Sequence, residues 1–373
     1  MTPLVPAAVA LAVFALAHRA TARLCTAGAR VHLLDRPNER SLHTVPTPRT
    51  GGVAIVAASS AGLGGLLVAA HLGWLGDGLR APLAGSEGRA LAWILGACIV
   101  MAVVSFGDDI TPLPISVRLG TQMLTATAVV LGGGVRIDRV PLPLAWQGLL
   151  PPVLAILVTI LTVVWLSNLY NFMDGMDGFA GGMTVVGFSV LGMISWRGGA
   201  PLLATAMIAV AAAGAGFLLH NRPPARIFMG DVGSVTVGFL AGSLGAVGVS
   251  RGLFDVWVPV LVFSPFIVDA TFTLVRRAVR GERVWHAHRE HLYQRLVLQG
   301  WSHRRTVGVQ YAFMLASAAA ATAYLAGGAL VRLGVLLFVA AGYAAYALAV
   351  ARLERRSALP VAVRSGRRVD REA

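Results

Sequence analysis

Residues 151–182 read PPVLAILVTILTVVWLSNLYNFMDGMDGFAGG. An apolar run long enough to cross most of a bilayer gives way at Ser167 to two carboxamides, Asn168 and Asn171, and two carboxylates, Asp174 and Asp177; apolar sequence then resumes. Polar groups between apolar runs are costly unless they have a function. In a helix, the three-residue steps from Asn168 through Asp177 would fall near one face. The Asp-Gly pairs at 174–175 and 177–178 favour turns, so the helix is expected to end or unwind among them. Either geometry is expected to gather oxygens on one side. Such ligands suit Mg²⁺, which takes one or two carboxylates and completes its shell with water and substrate phosphates. A lone Asp-Gly pair would read as a simple turn.

The rest of the chain sets this stretch in a membrane. Its 373 residues are 56% hydrophobic and 13% charged, with a mean hydropathy of +0.72, which is too apolar for an ordinary soluble domain. A span needs about 20 mostly apolar residues. Eleven runs qualify: 3–22, 52–72, 89–107, 118–134, 151–167, 178–196, 200–219, 235–250, 255–275, 306–328 and 330–351. The expected fold is therefore an all-α polytopic membrane protein of about eleven transmembrane helices. Residues 1–351 form one transmembrane domain, with active-site loops at 23–51, 108–117, 168–177, 220–234 and 276–305, followed by a basic tail at 352–373.

Charge orients the bundle. The first span has no basic residue before it and is followed by His18, Arg19 and Arg23, which reads as a retained helix with its N-terminus outside rather than a cleaved signal. Loops 23–51 and 276–305 and the tail carry five, eight and seven arginines, whereas 73–88, 197–199 and 251–254 carry one each and 135–150 carries Arg136 and Arg139. The arginine-rich group is expected on the cytoplasmic side, with the C-terminus. The net charge of +14 then fits contact with anionic membrane lipids, and no nucleic-acid partner is expected. With no lysine in the chain, lysine chemistry is excluded; Cys25 and Cys98 read as inert thiols.

The polar clusters fall on that same side. The loop from Asp35 to Gly52, DRPNERSLHTVPTPRTGG, holds three prolines and offers Arg36, Arg40, His43 and Arg49 to an anion. The third span ends in Asp108 and Asp109, which oppose the helix dipole and so call for a cation or a function; residues about 100° apart predict that only one of them faces the site. Ser116 and Arg118 open the next span. In Asn221–Ser234, Asp231 stands between Gly230 and Gly233, where backbone can approach a phosphate or metal, and a helix N-terminus follows. Phe228 reads as a packing residue. Asp269 reads either as functional or as a partner of Arg276 or Arg277. The last loop clusters His286, His288, Arg289, His291 and Arg295, whose strongly positive surroundings suit an anion better than zinc. Carboxylates, arginines and glycines at headgroup level make phosphoryl transfer between a soluble phosphorylated substrate and a lipid acceptor the reaction this set serves.

The stretches NLYNFMDGMDGFAGG, RIFMGDVGS, FGDDI with the later SVR, DRPNERSLHTVPTPRTGG and HREHLYQRL resemble the polyprenyl-phosphate N-acetylhexosamine-1-phosphate transferase family, in family order from about Asp35 to Arg295. The resemblance implies that undecaprenyl phosphate attacks the β-phosphate of a UDP-N-acetyl sugar and releases UMP. It implies Mg²⁺, for which Mn²⁺ can substitute, at the cytoplasmic face of the bacterial inner membrane, and leaves a homodimer open. By motif position, Asp231 would be the metal ligand, Asp108 and Asp109 the acidic pair near the lipid phosphate, and Asp174 a catalytic carboxylate. Asn171, Asp177 and Asn221 would belong to the nucleotide pocket, with Phe228 stacked on uracil; Arg36, His43, Arg49, Arg118, His286, Arg289 and His291 would meet substrate.

Departures narrow the substrate. Arg36 stands where relatives often have lysine. The last loop lacks the consecutive histidines of the peptidoglycan translocase, and its Ala287, His288, Tyr293 and Gln294 differ from the common-antigen type. The HRxHLYQ form looks more like O-antigen initiators acting on modified N-acetylhexosamines. A peptidoglycan precursor is the alternative donor. A transporter is the alternative class, and it would need its carboxylates at the centre of broken spans.

Overall fold

The computed structural model describes residues 4–26, 33–37, 45–74, 82–142, 144, 147–283 and 288–366, with side chains as far as Arg356. Ten helices are long and apolar enough to cross a membrane, and the all-α polytopic expectation holds. In chain order the elements are α1 (Leu4–Leu24), β1 (Leu34–Asp35), β2 (Thr47–Pro48), α2 (Gly51–His71), α3 (Ser86–Ile110), α4 (Ile115–Gly133), α5 (Pro152–Met173), α6 (Phe179–Arg197), α7 (Pro201–Asn221), α8 (Gly230–Ser250), α9 (Trp257–Val262), α10 (Ser264–Val279), α11 (Leu292–Leu298), α12 (His303–Ala326) and α13 (Ala329–Gly366).

Ten of the eleven expected spans are single helices. The ninth is divided. Pro265 has no amide to donate to the Leu261 carbonyl and its ring crowds that carbonyl, so α9 stops and α10 begins after Phe263, which sits at φ −93°, ψ 10°. The second piece, α10, runs on to Val279, past the expected end.

Helix α8 is the centre of the bundle: 94% of its apolar window is buried, against 11% for α13 at the edge. Its sequence, GDVGSVTVGFLAGSLGAVGVS, is built from small residues, and small residues let helix backbones approach closely where lipid leaves no hydrophobic drive between helices. A Cβ on Gly242 would lie 2.8 Å from the Val163 Cα of α5, and one on Gly238 would lie 2.8 Å from the Ser167 Cα. Helices α5, α3 and α2 pack around α8, while α1, α6 and α7 form a neighbouring group. Leucines and valines on the outer faces of α3, α4 and α5 are exposed, as lipid-facing residues should be.

One end of the bundle gathers the polar loops. The short antiparallel pair of β1 and β2, in register Leu34 with Pro48 and Asp35 with Thr47, lies there. The Phe228 amide donates to the Pro48 carbonyl at 2.7 Å, and the Gly51 and Gly52 amides donate to the Phe228 and Met229 carbonyls at 2.9 and 2.7 Å. The first polar loop is thereby stitched to the start of α8.

Candidate active site

The site is built on the N-terminus of α8. Gly230 adopts φ +70°, and a Cβ there would collide with the Arg49 carbonyl, so only glycine lets the chain turn into α8 against the first loop. The end of α3 meets this helix start. Asp109 accepts from the Asp231 amide at 3.3 Å and the Val232 amide at 3.1 Å. Its charge opposes the dipole of α3 yet complements that of α8 and satisfies two first-turn amides. Arg49 flanks it, with Nε 3.7 Å from the carboxylate and Nη2 donating to the Asp109 carbonyl.

Asp108 takes a different set of partners. It accepts from the Leu113 amide at 2.7 Å, pairs with Arg118 at 3.2 Å, and reaches the Asp231 carboxyl. The expectation that only one of the pair would face the site is therefore corrected: both meet Asp231, one at its backbone and one at its side chain, because α3 ends against the tip of another helix. Asn171 completes the surround, donating to Asp231 Oδ1 at 2.9 Å and Ser234 Oγ at 3.0 Å.

Asp174 follows directly on α5, which ends among the Asp-Gly pairs as the sequence predicts. Burial, together with the charges of Asp231, Asp109 and Asp35, raises its carboxyl well above the usual carboxylate range. Among the described residues no cation pairs with it. Asp35 reaches this neighbourhood from β1, and its one signal in the sequence is its place directly before Arg36.

The expected single face of oxygens does not form. Steps of three residues drift by about 60° per step around a helix, and the chain leaves helical geometry at Asp174. Asn168 consequently turns to Gln122 on α4, donating at 2.7 Å, and Asn171 turns to Asp231. Asp177 accepts from the Ala225 amide at 3.0 Å and lies 3.3 Å from His303 Nδ1. Asn221 donates to the Ile227 carbonyl and accepts from the Gly178 amide, both at 2.9 Å. Asp177 and Asn221 thus brace the loop that carries Phe228, which is only partly buried.

The last loop is also reorganised. Asp269 pairs with neither Arg276 nor Arg277; it accepts from the Leu292 and Tyr293 amides at 2.8 and 3.2 Å, capping α11, and lies 3.3 Å from His291 Nδ1. Glu290 holds Arg276, Arg277 and Arg280 within 3.3 Å, and Arg295 is paired with Glu354. Burial, then His291 and Arg277, lowers His288 to about 4, so it is uncharged at neutral pH. Of the expected cationic cluster, Arg289 is without an ion-pair partner among the described residues. Arg36 is exposed. His43 and His286 lie outside the described residues.

Tyr293 and Gln294 press on the Asp174–Gly175 turn. A Cβ on Gly175 would strike the Tyr293 hydroxyl and stand 3.2 Å from Gln294 Nε2. Burial, with Asp269 and Asp174 nearby, pushes the Tyr293 hydroxyl far above its ordinary value, keeping it neutral. In the sequence both positions stand out only as departures from a motif, and His303 carries no signal.

A divalent cation suits this donor set. Asp231 and Asp108 supply hard oxygen from two elements, and with Asp109 their three carboxylates outnumber the flanking Arg49 and Arg118. Among the described residues no three acidic or imidazole side chains already form a ligand set. An ion such as Mg²⁺ needs only one or two carboxylates and fills the rest of its shell with water and phosphate.

Comparison with known proteins locates this geometry in a family. Residues 91–249, from α3 to the end of α8, match the model of glycosyl transferase family 4. The chain is 30% identical over 284 residues to a probable undecaprenyl-phosphate N-acetylglucosaminyl 1-phosphate transferase of Bacillus subtilis (strain 168), covering 76% of this chain and 74% of the relative. It is 32% identical over 306 residues to a decaprenyl-phosphate N-acetylglucosaminephosphotransferase of Mycobacterium tuberculosis (strain ATCC 25618 / H37Rv), covering 76% and 73%. A phospho-N-acetylmuramoyl-pentapeptide-transferase of Listeria innocua is 32% identical over 149 residues, 39% of this chain and 44% of the relative.

Proposed function

The chain belongs to glycosyl transferase family 4, among the polyprenyl-phosphate sugar-1-phosphate transferases, and we propose that it moves an N-acetylhexosamine 1-phosphate from a UDP-sugar to undecaprenyl phosphate, releasing UMP. The observation that carries this reading is the convergence of Asp108 and Asp109 on Asp231 at the tip of α8, with Asp174 within reach of their charge, from three separate parts of the chain.

In the proposed reaction an oxygen of the lipid phosphate attacks the β-phosphorus of the donor, and the bond from that phosphorus to the oxygen retained by UMP breaks. The lipid phosphate is already largely ionised at pH 7, so no strong base is required. Asp231 and Asp108 would hold Mg²⁺, or Mn²⁺ in its place. Bound there, the ion would neutralise the donor diphosphate and polarise the transferring phosphoryl group. Asn171 fixes the Asp231 carboxylate, Asp109 fixes its backbone, and Arg118 and Arg49 bring positive charge to the side where the lipid phosphate would arrive. Asp177, Asn221 and His303 hold the loop that carries Phe228, which would stack on uracil.

The relatives named for N-acetylglucosamine favour that sugar over the modified hexosamines of O-antigen initiators. The product would then start a lipid-linked cell-envelope polysaccharide, of which O-antigen in lipopolysaccharide is one and cell-wall polymers are others. A muramoyl-pentapeptide donor is less favoured, since that likeness spans only 39% of the chain. The arginine-rich loops support an active site on the cytoplasmic face of the inner membrane.

The test is UMP release by purified protein with undecaprenyl phosphate, Mg²⁺ and a panel of UDP-N-acetyl sugars, with Asp231→Asn alongside. Release with one donor, abolished by EDTA and by the substitution, is expected. Failure of well-folded protein to bind UDP in calorimetry would overturn the reading.

A further inference from the structure

The far end of the bundle holds a second polar site. Helix α8 begins at the carboxylate cluster and ends at Ser250; its 21 residues set the two ends about 30 Å apart. There a cavity of about 540 Å³ is lined by Arg136, Asp138 and Arg139 after α4, by residues 249–255 at the end of α8, by Leu325 of α12 and by Arg332 of α13. Four arginines dispersed over nearly 200 residues of sequence converge on one opening.

Their charge is not balanced. Arg136 lies 3.6 Å from Asp138, Arg251 lies 3.1 Å from the buried Glu87, and Arg332 lies 3.9 Å from Asp255. Asp255 is further engaged by the Tyr324 hydroxyl at 2.9 Å and the Trp257 amide at 3.0 Å. Arg139 has no acidic partner among the described residues. Even with Glu87 counted, one positive charge remains, and Arg136 and Arg139 are exposed at the rim of the cavity, where a headgroup can reach them.

The cavity is also built. The Val140 amide donates to the Gly148 carbonyl at 2.8 Å and the Leu150 amide to the Asp138 carbonyl at 2.9 Å, clamping the backbone on either side of Arg139. The Arg136 amide donates to Ser250 Oγ at 3.3 Å, tying that segment to α8. Val249, Leu253, Phe254 and Leu325 supply an apolar wall beside the arginines. Guanidinium groups next to an apolar wall, at the end of membrane-spanning helices, match a phosphate carried on an acyl-chain lipid.

We propose that this cavity binds a phosphate group, in the form of an anionic phospholipid headgroup from the leaflet opposite the carboxylate cluster, with Arg139 and Arg136 as its principal contacts. The site is separate from the transfer reaction and does not rest on it.

Native mass spectrometry of the full chain, released from nanodiscs of phosphatidylcholine with or without phosphatidylglycerol, reads the site directly. Wild type is expected to retain one phosphatidylglycerol in preference to phosphatidylcholine. The double variant Arg136→Ala/Arg139→Ala should weaken that retention about tenfold, a loss of the size of one charge-assisted contact. Arg197→Ala is the control, an exposed arginine at the same end but outside the cavity. Thermal protection in detergent by inorganic phosphate at millimolar concentration, lost in the double variant and without any lipid preference, would support the phosphate site and assign its source to solution. Equal retention of both lipids with no protection by phosphate, or equal behaviour of the double variant and Arg197→Ala, would overturn the proposal.

Discussion

Asp109 accepts a hydrogen bond from the Val232 amide at 3.1 Å, across 123 residues of sequence. The contact joins the C-terminal end of one spanning helix to the N-terminal turn of another, and it fixes where Asp231 stands. Asp109→Ala should leave the amides of Asp231 and Val232 without their acceptor and cost about 2 kcal/mol of stability. Asp109→Asn keeps one acceptor oxygen and should cost less. Thermal unfolding in detergent checks both, and equal midpoints for Asp109→Ala and wild type would refute the positioning role.

Asp231→Asn keeps the shape of the side chain while removing its charge. Sugar-1-phosphate transfer is expected to fall by about 10²-fold or more, the scale of losing one group that stabilises developing charge. The concentration of Mg²⁺ giving half-maximal rate should rise in the residual activity. An unchanged metal dependence would remove Asp231 from the ligand set.

Asp174 makes a pH prediction of definite sign. Its folded-state pKa lies well above the usual carboxylate value, chiefly because of burial. The folded protein therefore holds this proton more tightly than the unfolded chain does. Stability from this group is complete below the unfolded pKa and is lost as pH rises toward the folded one. Asp174→Asn, which stays neutral, should raise the unfolding midpoint of metal-free protein at pH 8 and change it little at pH 4. The same variant should lose transfer activity, so stability and function are expected to move in opposite directions.

Gly175 and Tyr293 form a pair that a double-mutant cycle can isolate. Gly175→Ala places a methyl group against the Tyr293 hydroxyl and should disturb the adjacent Asp174, lowering activity about tenfold. Tyr293→Phe removes that hydroxyl, leaving Gln294 Nε2 at 3.2 Å and the ring carbon at 3.5 Å as the nearest atoms. The double variant should therefore recover much of what the alanine loses, with an interaction energy on the order of 1 kcal/mol. Strict additivity of the two substitutions in rate measurements would contradict the close approach.

Much of the architecture was legible in the chain. Ten of the expected spans appear as single helices because about 20 apolar residues in a bilayer have few alternatives to the α-helix. The end of α5 among the Asp-Gly pairs followed from turn chemistry that acts within a few residues. The break after Phe263 was also written locally, in Pro265, yet apolar content concealed it because composition does not register a missing amide.

The site was legible as an inventory and not as an arrangement. The sequence by itself determined that aspartates, asparagines and arginines stand at the ends of apolar helices, since each such residue must leave the hydrocarbon or find a partner. Only the tertiary structure decided which partner each one found. Asn168 went to Gln122, Asp177 to Ala225 and His303, Asp269 to the first turn of α11, and both carboxylates of the 108–109 pair to Asp231. Local sequence sets periodicity and turns over a handful of residues, whereas these contacts depend on which helix ends meet. That meeting was set by the glycine-lined surface of α8, which lets its neighbours close around it.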